Sequence, residues 1–158
     1  MTDEGYLDLI VENDKWKSAL PALDTFVARV FRAALLLEPD LNPGAALLLA
    51  DDERLRELNL EFREKDKPTN VLSFPSGLPP AAPLGDIAIA FETVEREAID
   101  LGRSFEEHAA HMIVHGLLHL AGYDHLHDGE AAVMEGLETK ILGSMNISDP
   151  YAIDAMGE

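Results

Sequence analysis

His115 and His119 stand four positions apart in a stretch whose apolar pattern is helical. On one helical face their Cβ atoms lie ~5–6 Å apart, close enough for both imidazoles to reach one ion at ~2.0–2.1 Å. They belong to a dense group: five of the six histidines, His108, His111, His115, His119 and His125, fall between positions 108 and 125, and His127 follows. His111 is on the same stripe, but at ~1.5 Å rise per residue it sits ~12 Å along the axis from His119, too far for one ion to bind both. Gly122 favours the other end, because a glycine just past the helix can take the left-handed conformation and bring Tyr123, Asp124 and His125 back toward the last turn. The expected metal ligands are therefore His115, His119 and His125. With no cysteine in the chain, nitrogen and oxygen must hold the ion.

This set, with Gly122 between its last two members, has the ligand spacing H-E-x-x-H-x-x-G-x-x-H of metzincin zinc proteases. Position 116, where those proteases carry their general-base glutamate, is Gly116. Their route to peptide hydrolysis lacks its base here. Two metal roles stay open. Three neutral imidazoles plus a water make a catalytic Zn2+, able to lower the pKa of that water to ~7 and polarise a phosphoryl or carbonyl oxygen. Asp124 or Asp128 as a fourth ligand would close the sphere and make the site structural. His108 and His127 are expected to be solvated, and His111 either a buried hydrogen-bonding residue or a support or substrate contact beside the metal. Gly116, which costs ~1 kcal/mol relative to Ala inside a helix, either leaves room for a bulky substrate or permits close helix packing.

The elements that must position these residues follow from periodicity. Leu7, Leu9 and Val11 alternate with Asp8, Ile10 and Glu12 as in a half-buried strand. From Ser18 the period becomes helical through Leu20, Leu23, Phe26, Val27, Val30, Phe31 and Ala34, ending before Pro39. Ala45–Ala50 reads as a buried strand, and Asp51 or Asp52 caps a helix whose Leu55, Leu58 and Phe62 point inward. Residues 70–74 and 84–91 read as two strands of a hairpin across the Pro- and Gly-rich stretch 75–83. A helix over 92–101 closes at Gly102, and Ser104 with Glu107 forms a capping box for the histidine helix. A final helix, capped by Asp128, turns Ala132, Val133, Leu137, Ile141 and Leu142 inward and ends near Gly143. The expectation is a single α+β domain over 1–158, with a small four-stranded sheet, about five helices and a metal site at the end of a late helix.

Composition narrows the function. At 158 residues, 47% hydrophobic and 27% charged, the chain has the makeup of one ordinary globular domain. It has no apolar run of ~20 residues and no basic leader at its start, so a cytoplasmic location without membrane or disulfide partners is expected. The net charge of -18 repels polyanions at long range, so any nucleic acid must be held by a local basic site or through a partner. Arg54, Arg56, Arg63, Lys65 and Lys67 crowd into one stretch, while only Lys140 follows Arg103.

The run His115-Gly-Leu-Leu-His-Leu-Ala-Gly-Tyr-Asp-His125 resembles the H-G-x-L-H-L-x-G-Y-D-H signature of the bacterial YbeY family, rRNA maturation factors and metal-dependent endoribonucleases. The stretch from Arg63 to Pro75, Glu-Lys-Asp-Lys-Pro-Thr-Asn-Val-Leu-Ser-Phe between them, resembles the family's central segment. Leu84-Gly-Asp-Ile87 resembles its next strand, and Glu130, Met134, Glu135 and Glu138 its last helix. The resemblance implies one zinc-like ion on His115, His119 and His125, and a cleft facing the basic segment. It implies action on single-stranded RNA in rRNA maturation, at the 3′ end of small-subunit rRNA and in ribosome quality control, with the small subunit or its proteins as partners. It also implies Arg63 as the functional arginine. Independently, Arg63 beside Lys65 and Lys67 suits phosphate binding, and Arg63 suits stabilisation of charge in the transition state.

The leading expectation is thus an RNA hydrolase with Arg63 and His115 as catalytic residues, Arg63, Lys65 and Lys67 as the substrate-binding set, and either water or the RNA 2′-OH as nucleophile. A zinc metallopeptidase with a substitute carboxylate, and a non-catalytic ribosome-assembly factor with a structural metal, are the alternatives.

Overall fold

Four short strands build the sheet: β1 (Leu7–Val11), β2 (Ala45–Ala50), β3 (Val71–Pro75) and β4 (Gly85–Ala90), in the order β1-β2-β4-β3. A computed structural model describes residues 7–77, 82–123 and 128–151. β1, β2 and β4 run parallel, and β3 returns antiparallel along β4 with Ser73 opposite Ile87 and Leu72 opposite Ala88. β3 is therefore an edge strand. Six α-helices accompany the sheet among the described residues: α1 (Lys15–Ala19), α2 (Leu23–Leu37), α3 (Asp52–Arg63), α4 (Phe91–Leu101), α5 (Phe105–Leu120) and α6 (Asp128–Gly143). The α+β class expected from the sequence holds.

Strand alternation sorts the side chains into two apolar clusters. Leu47, Leu49, Ile87 and Ile89 join the main core with α2, α5 and α6, whereas Leu72, Ala88 and Ala90 meet Leu55 of α3, with Leu48 and Phe74 packed alongside. Small residues on the second face let α3 approach with few buried positions of its own. α5 lies across β3 and β4 in the main core, and eleven of its residues are buried.

Three expectations need correction. The helical face read from Ser18 onward is broken: α1 stops before Leu20, whose φ of -130° precedes Pro21, and α2 begins at Leu23. Proline disfavours helical geometry in the residue before it. The separate α1 buries Trp16, whose Nε1 donates to Ala50 O at 2.8 Å and whose ring meets Phe91 and Phe105 at 5.4 Å each. Second, Phe62 of α3 is 57% exposed and Asn59 is buried in its stead, donating from Nδ2 to Lys67 O at 2.9 Å. Third, Ala132 and Val133 face solvent, and α6 buries Met134, Glu138, Ile141 and Leu142. The expected caps at Asp51 and Ser104 are present, whereas Asp128 is itself the first residue of α6.

Candidate active site

The site is built on the second half of α5. Ser104 Oγ accepts from Glu107 N and Glu107 Oε1 accepts from Ser104 N, both at 3.0 Å, which fixes where the helix starts and hence which residues face outward turns later. At the other end Gly122 takes φ +103°, Tyr123 N donates to Leu118 O at 2.9 Å, and the chain reverses as its glycine foretold. The Tyr123 hydroxyl bonds the Glu38 carboxylate, fastening that return to the end of α2.

His115 and His119 come together as expected. Their Nε2 atoms are 3.1 Å apart, with ring centroids at 4.6 Å and planes at 81°. Two nitrogens bonded to one tetrahedral ion at ~2.0–2.1 Å lie roughly 3.3 Å apart, so this separation suits a shared cation. The back of His115 is settled by a carboxylate: its Nδ1 lies 2.7 Å from Glu138 Oε2. An ionised carboxylate only accepts, so Nδ1 carries the proton and the Nε2 lone pair faces His119. The pair thus supplies two imidazole nitrogens at a separation one ion could bridge. His125 and Asp124 lie outside the described residues, as does His127, and nothing is described of the Asp128 side chain. Among the described residues no group of three or more potential ligands is assembled.

Sequence reading matched Glu138 to the family's last helix and assigned it no role, yet the structure sets it behind His115. The Glu138 side chain is fully buried, and its other oxygen meets His111 Nε2 at 2.8 Å and the Tyr151 hydroxyl. Burial pushes its pKa up, yet the hydrogen bonds from His111, His115 and Tyr151 prevail and hold it at about 2. His111 is therefore the buried hydrogen-bonding residue of the two options, and through Glu138 it also supports His115. The available signal was a glutamate on the stripe of Met134, Ile141 and Leu142, where a lone charge on an apolar face calls for partners. His108 corrects the expectation of a solvated residue: it is 3% exposed, with Nε2 2.8 Å from Glu97 of α4. Burial opposes ionisation of Glu97, and hydrogen bonds to His108 and Asn70 hold its pKa below the ordinary value.

Gly116 is explained by packing. A Cβ there would stand 2.8 Å from Ile87 Cγ2, so α5 rests directly on β4 at this point. The same close approach puts Ser73 Oγ 3.3 Å from Gly116 O, tying β3 to the turn that carries His115.

Across from the histidines stands Arg63, at the end of α3. Its Nη2 donates to Ser73 O at 3.0 Å and its guanidinium lies 5.8 Å from the Phe74 ring centroid. Arg63, Lys65, Asn70, Ser73, His115 and His119 all line one cleft of about 800 Å³. Lys67 is outside it, in an adjoining depression of about 450 Å³ that Arg63 and Lys65 share. Arg54 and Arg56 are engaged by Glu12, Glu57 and Asp66. No ion pair to Arg63, Lys65 or Lys67 occurs among the described residues, so their charge is available to an anion. The structure therefore divides the basic stretch into a paired half and an open half.

Comparison with known proteins converges on one family. The family model described as Endoribonuclease YbeY matches residues 10–146. The chain is 48% identical over 157 residues to an Endoribonuclease YbeY of Sinorhizobium fredii (strain NBRC 101917 / NGR234), covering 92% of this chain and 91% of that one. It is 46% identical over 165 residues to an Endoribonuclease YbeY of Ruegeria pomeroyi (strain ATCC 700808 / DSM 15171 / DSS-3), covering 94% and 99%. A solution structure from Thermotoga maritima shares the fold, with TM-score 0.55 at 23% identity over 89% of this chain and 91% of that one.

Proposed function

This chain belongs to the Endoribonuclease YbeY family, and from that premise we propose that it is a metal-dependent endoribonuclease that cuts single-stranded RNA in the cleft between α5 and the α3–β3 segment. The observation that carries the reading is the 3.1 Å approach of His115 and His119 Nε2 in a cleft whose facing wall holds Arg63 and Lys65. His115 and His119, with His125 as the expected third ligand, would hold one Zn2+. When bound, such an ion supplies positive charge to a phosphoryl oxygen and acidifies water.

The remaining work falls to this chain's own side chains. Arg63 presents two-pronged donors to the phosphodiester and opposes the charge that builds up as the bond breaks. Lys65 and Lys67 hold neighbouring phosphates as point charges. Glu138 keeps the proton on His115 Nδ1 and so holds His115 in the tautomer that ligation needs. An open cleft of this kind suits a single strand better than an A-form duplex, whose bases are stacked away. Because the net charge of -18 works against RNA at a distance, we assign targeting to a protein or ribosomal partner, with maturation of the 3′ end of small-subunit rRNA and ribosome quality control in the cytoplasm as the setting.

The test is cleavage of a labelled single-stranded rRNA fragment by Zn2+-loaded protein beside a folded His115→Ala variant purified identically. Cleavage by the wild type alone supports the reading, with cyclic-phosphate ends marking attack by the 2′-OH. Equal cleavage by both, or none by either with ribosomal subunits added, overturns it.

A further inference from the structure

Phe62 breaks the pattern of its helix. The α3 period would bury it, yet Asn59 takes the inward position and Phe62 is left 57% exposed, the one exposed phenylalanine of the six in the chain. It stands against Phe74, with ring centroids 5.2 Å apart and planes at 60°. Phe74 is half-buried on the edge strand β3, under the Arg63 guanidinium. Aromatic surface left in water forgoes part of the gain that burial gives, so a ligand that covers it is favoured.

Strand alternation places this pair relative to the cleft. Phe74 points to the α3 face of the sheet, and its neighbours Ser73 and Pro75 line the cleft on the α5 side. Arg63 connects the two: it lies over Phe74 while bonding Ser73 O. A nucleotide whose phosphate rests on Arg63 therefore has cleft and histidines on one side of β3 and two aromatic rings on the other. The charge recorded against the rings is Arg63, which has no carboxylate partner among the described residues, and Lys65 lines the adjoining cleft with it. An exposed aromatic ring with a guanidinium one ring away matches a nucleobase with its attached phosphate.

We propose that Phe62, backed by Phe74 and Arg63, is a stacking platform for the base of the RNA nucleotide that flanks the phosphate held in the cleft. This rests on the ribonuclease reading and extends it with a substrate subsite. Stacking of this type accepts any base, so the platform adds affinity and positions the strand over the β3 edge without setting sequence.

The experiment measures fluorescence anisotropy of a labelled single-stranded RNA, 2′-O-methylated and phosphorothioate-linked to resist cleavage, with Zn2+-loaded wild type, Phe62→Ala and Phe62→Trp at several salt concentrations. Phe62→Ala is expected to weaken binding about 5- to 100-fold with an unchanged salt slope, since no phosphate contact is lost, and Phe62→Trp to bind as the wild type does. Phe62→Trp should melt with the wild type, and Phe62→Ala, which gives up the ring contact with Phe74, should melt only a few degrees lower and stay folded under the assay conditions. A single abasic nucleotide moved along the strand should weaken binding to the wild type at one position and leave Phe62→Ala insensitive there. Equal binding by wild type and folded Phe62→Ala overturns the platform and spares the ribonuclease reading. Absence of binding by the wild type overturns the platform and leaves the ribonuclease reading to the cleavage test with ribosomal subunits added.

Discussion

Glu138 Oε2 sits 2.7 Å from His115 Nδ1 inside the protein, so the orientation of a cleft histidine is decided by a residue on the last helix. The same carboxylate takes His111 Nε2 at 2.8 Å and the Tyr151 hydroxyl. Four polar groups from α5, α6 and the segment after α6 thus share one charge. A carboxylate behind a ligating imidazole fixes the ring and raises its basicity.

Glu138→Gln keeps the volume but puts an amide N–H2 where one of the rings donates. Zn2+ affinity in chelator competition should fall about 10–100-fold, with RNA cleavage lost at limiting Zn2+ and partly restored by excess. Glu138→Ala should also destabilise the fold by about 1–3 kcal/mol, because buried donors lose their acceptor. Unchanged Zn2+ affinity in a folded Glu138→Gln would remove the carboxylate from the site's function.

Arg63 and the lysines should separate kinetically. Arg63→Ala is expected to reduce kcat/KM by about 10²–10³, as for loss of one donor to developing charge. Arg63→Lys should recover little of that, since the fork of donors is gone. Lys65→Ala and Lys67→Ala should weaken RNA binding at nearly constant kcat and flatten the salt dependence by about one phosphate each. If Lys67→Ala slows chemistry as much as Arg63→Ala, the division between cleft and adjoining depression is wrong.

Gly116→Ala introduces a Cβ 2.8 Å from Ile87 Cγ2, and Ile87 is fully buried in β4. Overpacking costs ~1–3 kcal/mol, against ~1 kcal/mol gained from helix propensity. The expected net loss is about 1 kcal/mol, or roughly 2–4 °C in Tm for a domain of this size. Adding Ile87→Ala should give a double variant more stable than the sum of the single effects, a coupling readable by urea melts. Strict additivity would show that the clash relaxes elsewhere.

Much of the site was legible because its signals are local. The His115–His119 spacing, the Gly122 turn and the Ser104–Glu107 box are set within a few residues of one helix, where periodicity and capping rules apply. The errors arise where distant elements decide. Phe62 fits the inward period of α3, but the segment carrying Lys67 claims that place through Asn59. His108 reads as a surface histidine until α4 supplies Glu97, and Glu138 reads as one acid among many until α5 folds over it. Polar pairs formed across elements leave no period in the chain.

Asp52 makes the fold sensitive to acid by a similar cross-element contact. Its Oδ1 accepts from Thr93 N at 3.0 Å and from Thr93 Oγ1 at 2.6 Å, Oδ2 accepts from Arg96 at 2.9 Å, and Asp52 N donates to Glu92 at 2.8 Å. The first turns of α3 and α4 thus cap each other. Burial pushes the Asp52 carboxyl up, but hydrogen bonds from Thr93 and Arg96 hold it below its usual 3.8. A lowered folded pKa means the unfolded chain takes up the proton first, so the contribution is complete above the unfolded value and fades as pH falls through the folded one. The Arg96 arm is exposed and screened, which leaves the cap to Thr93 as the main part, about 1 kcal/mol. Asp52→Asn keeps an Oδ1 acceptor for Thr93 and loses only the charge, so it should melt roughly 1–2 °C below the wild type at pH 7, with the gap closing as pH is lowered past 3.8. A gap that stays constant down to pH 2 would mean that shape, and not the charge on Asp52, joins the two helices.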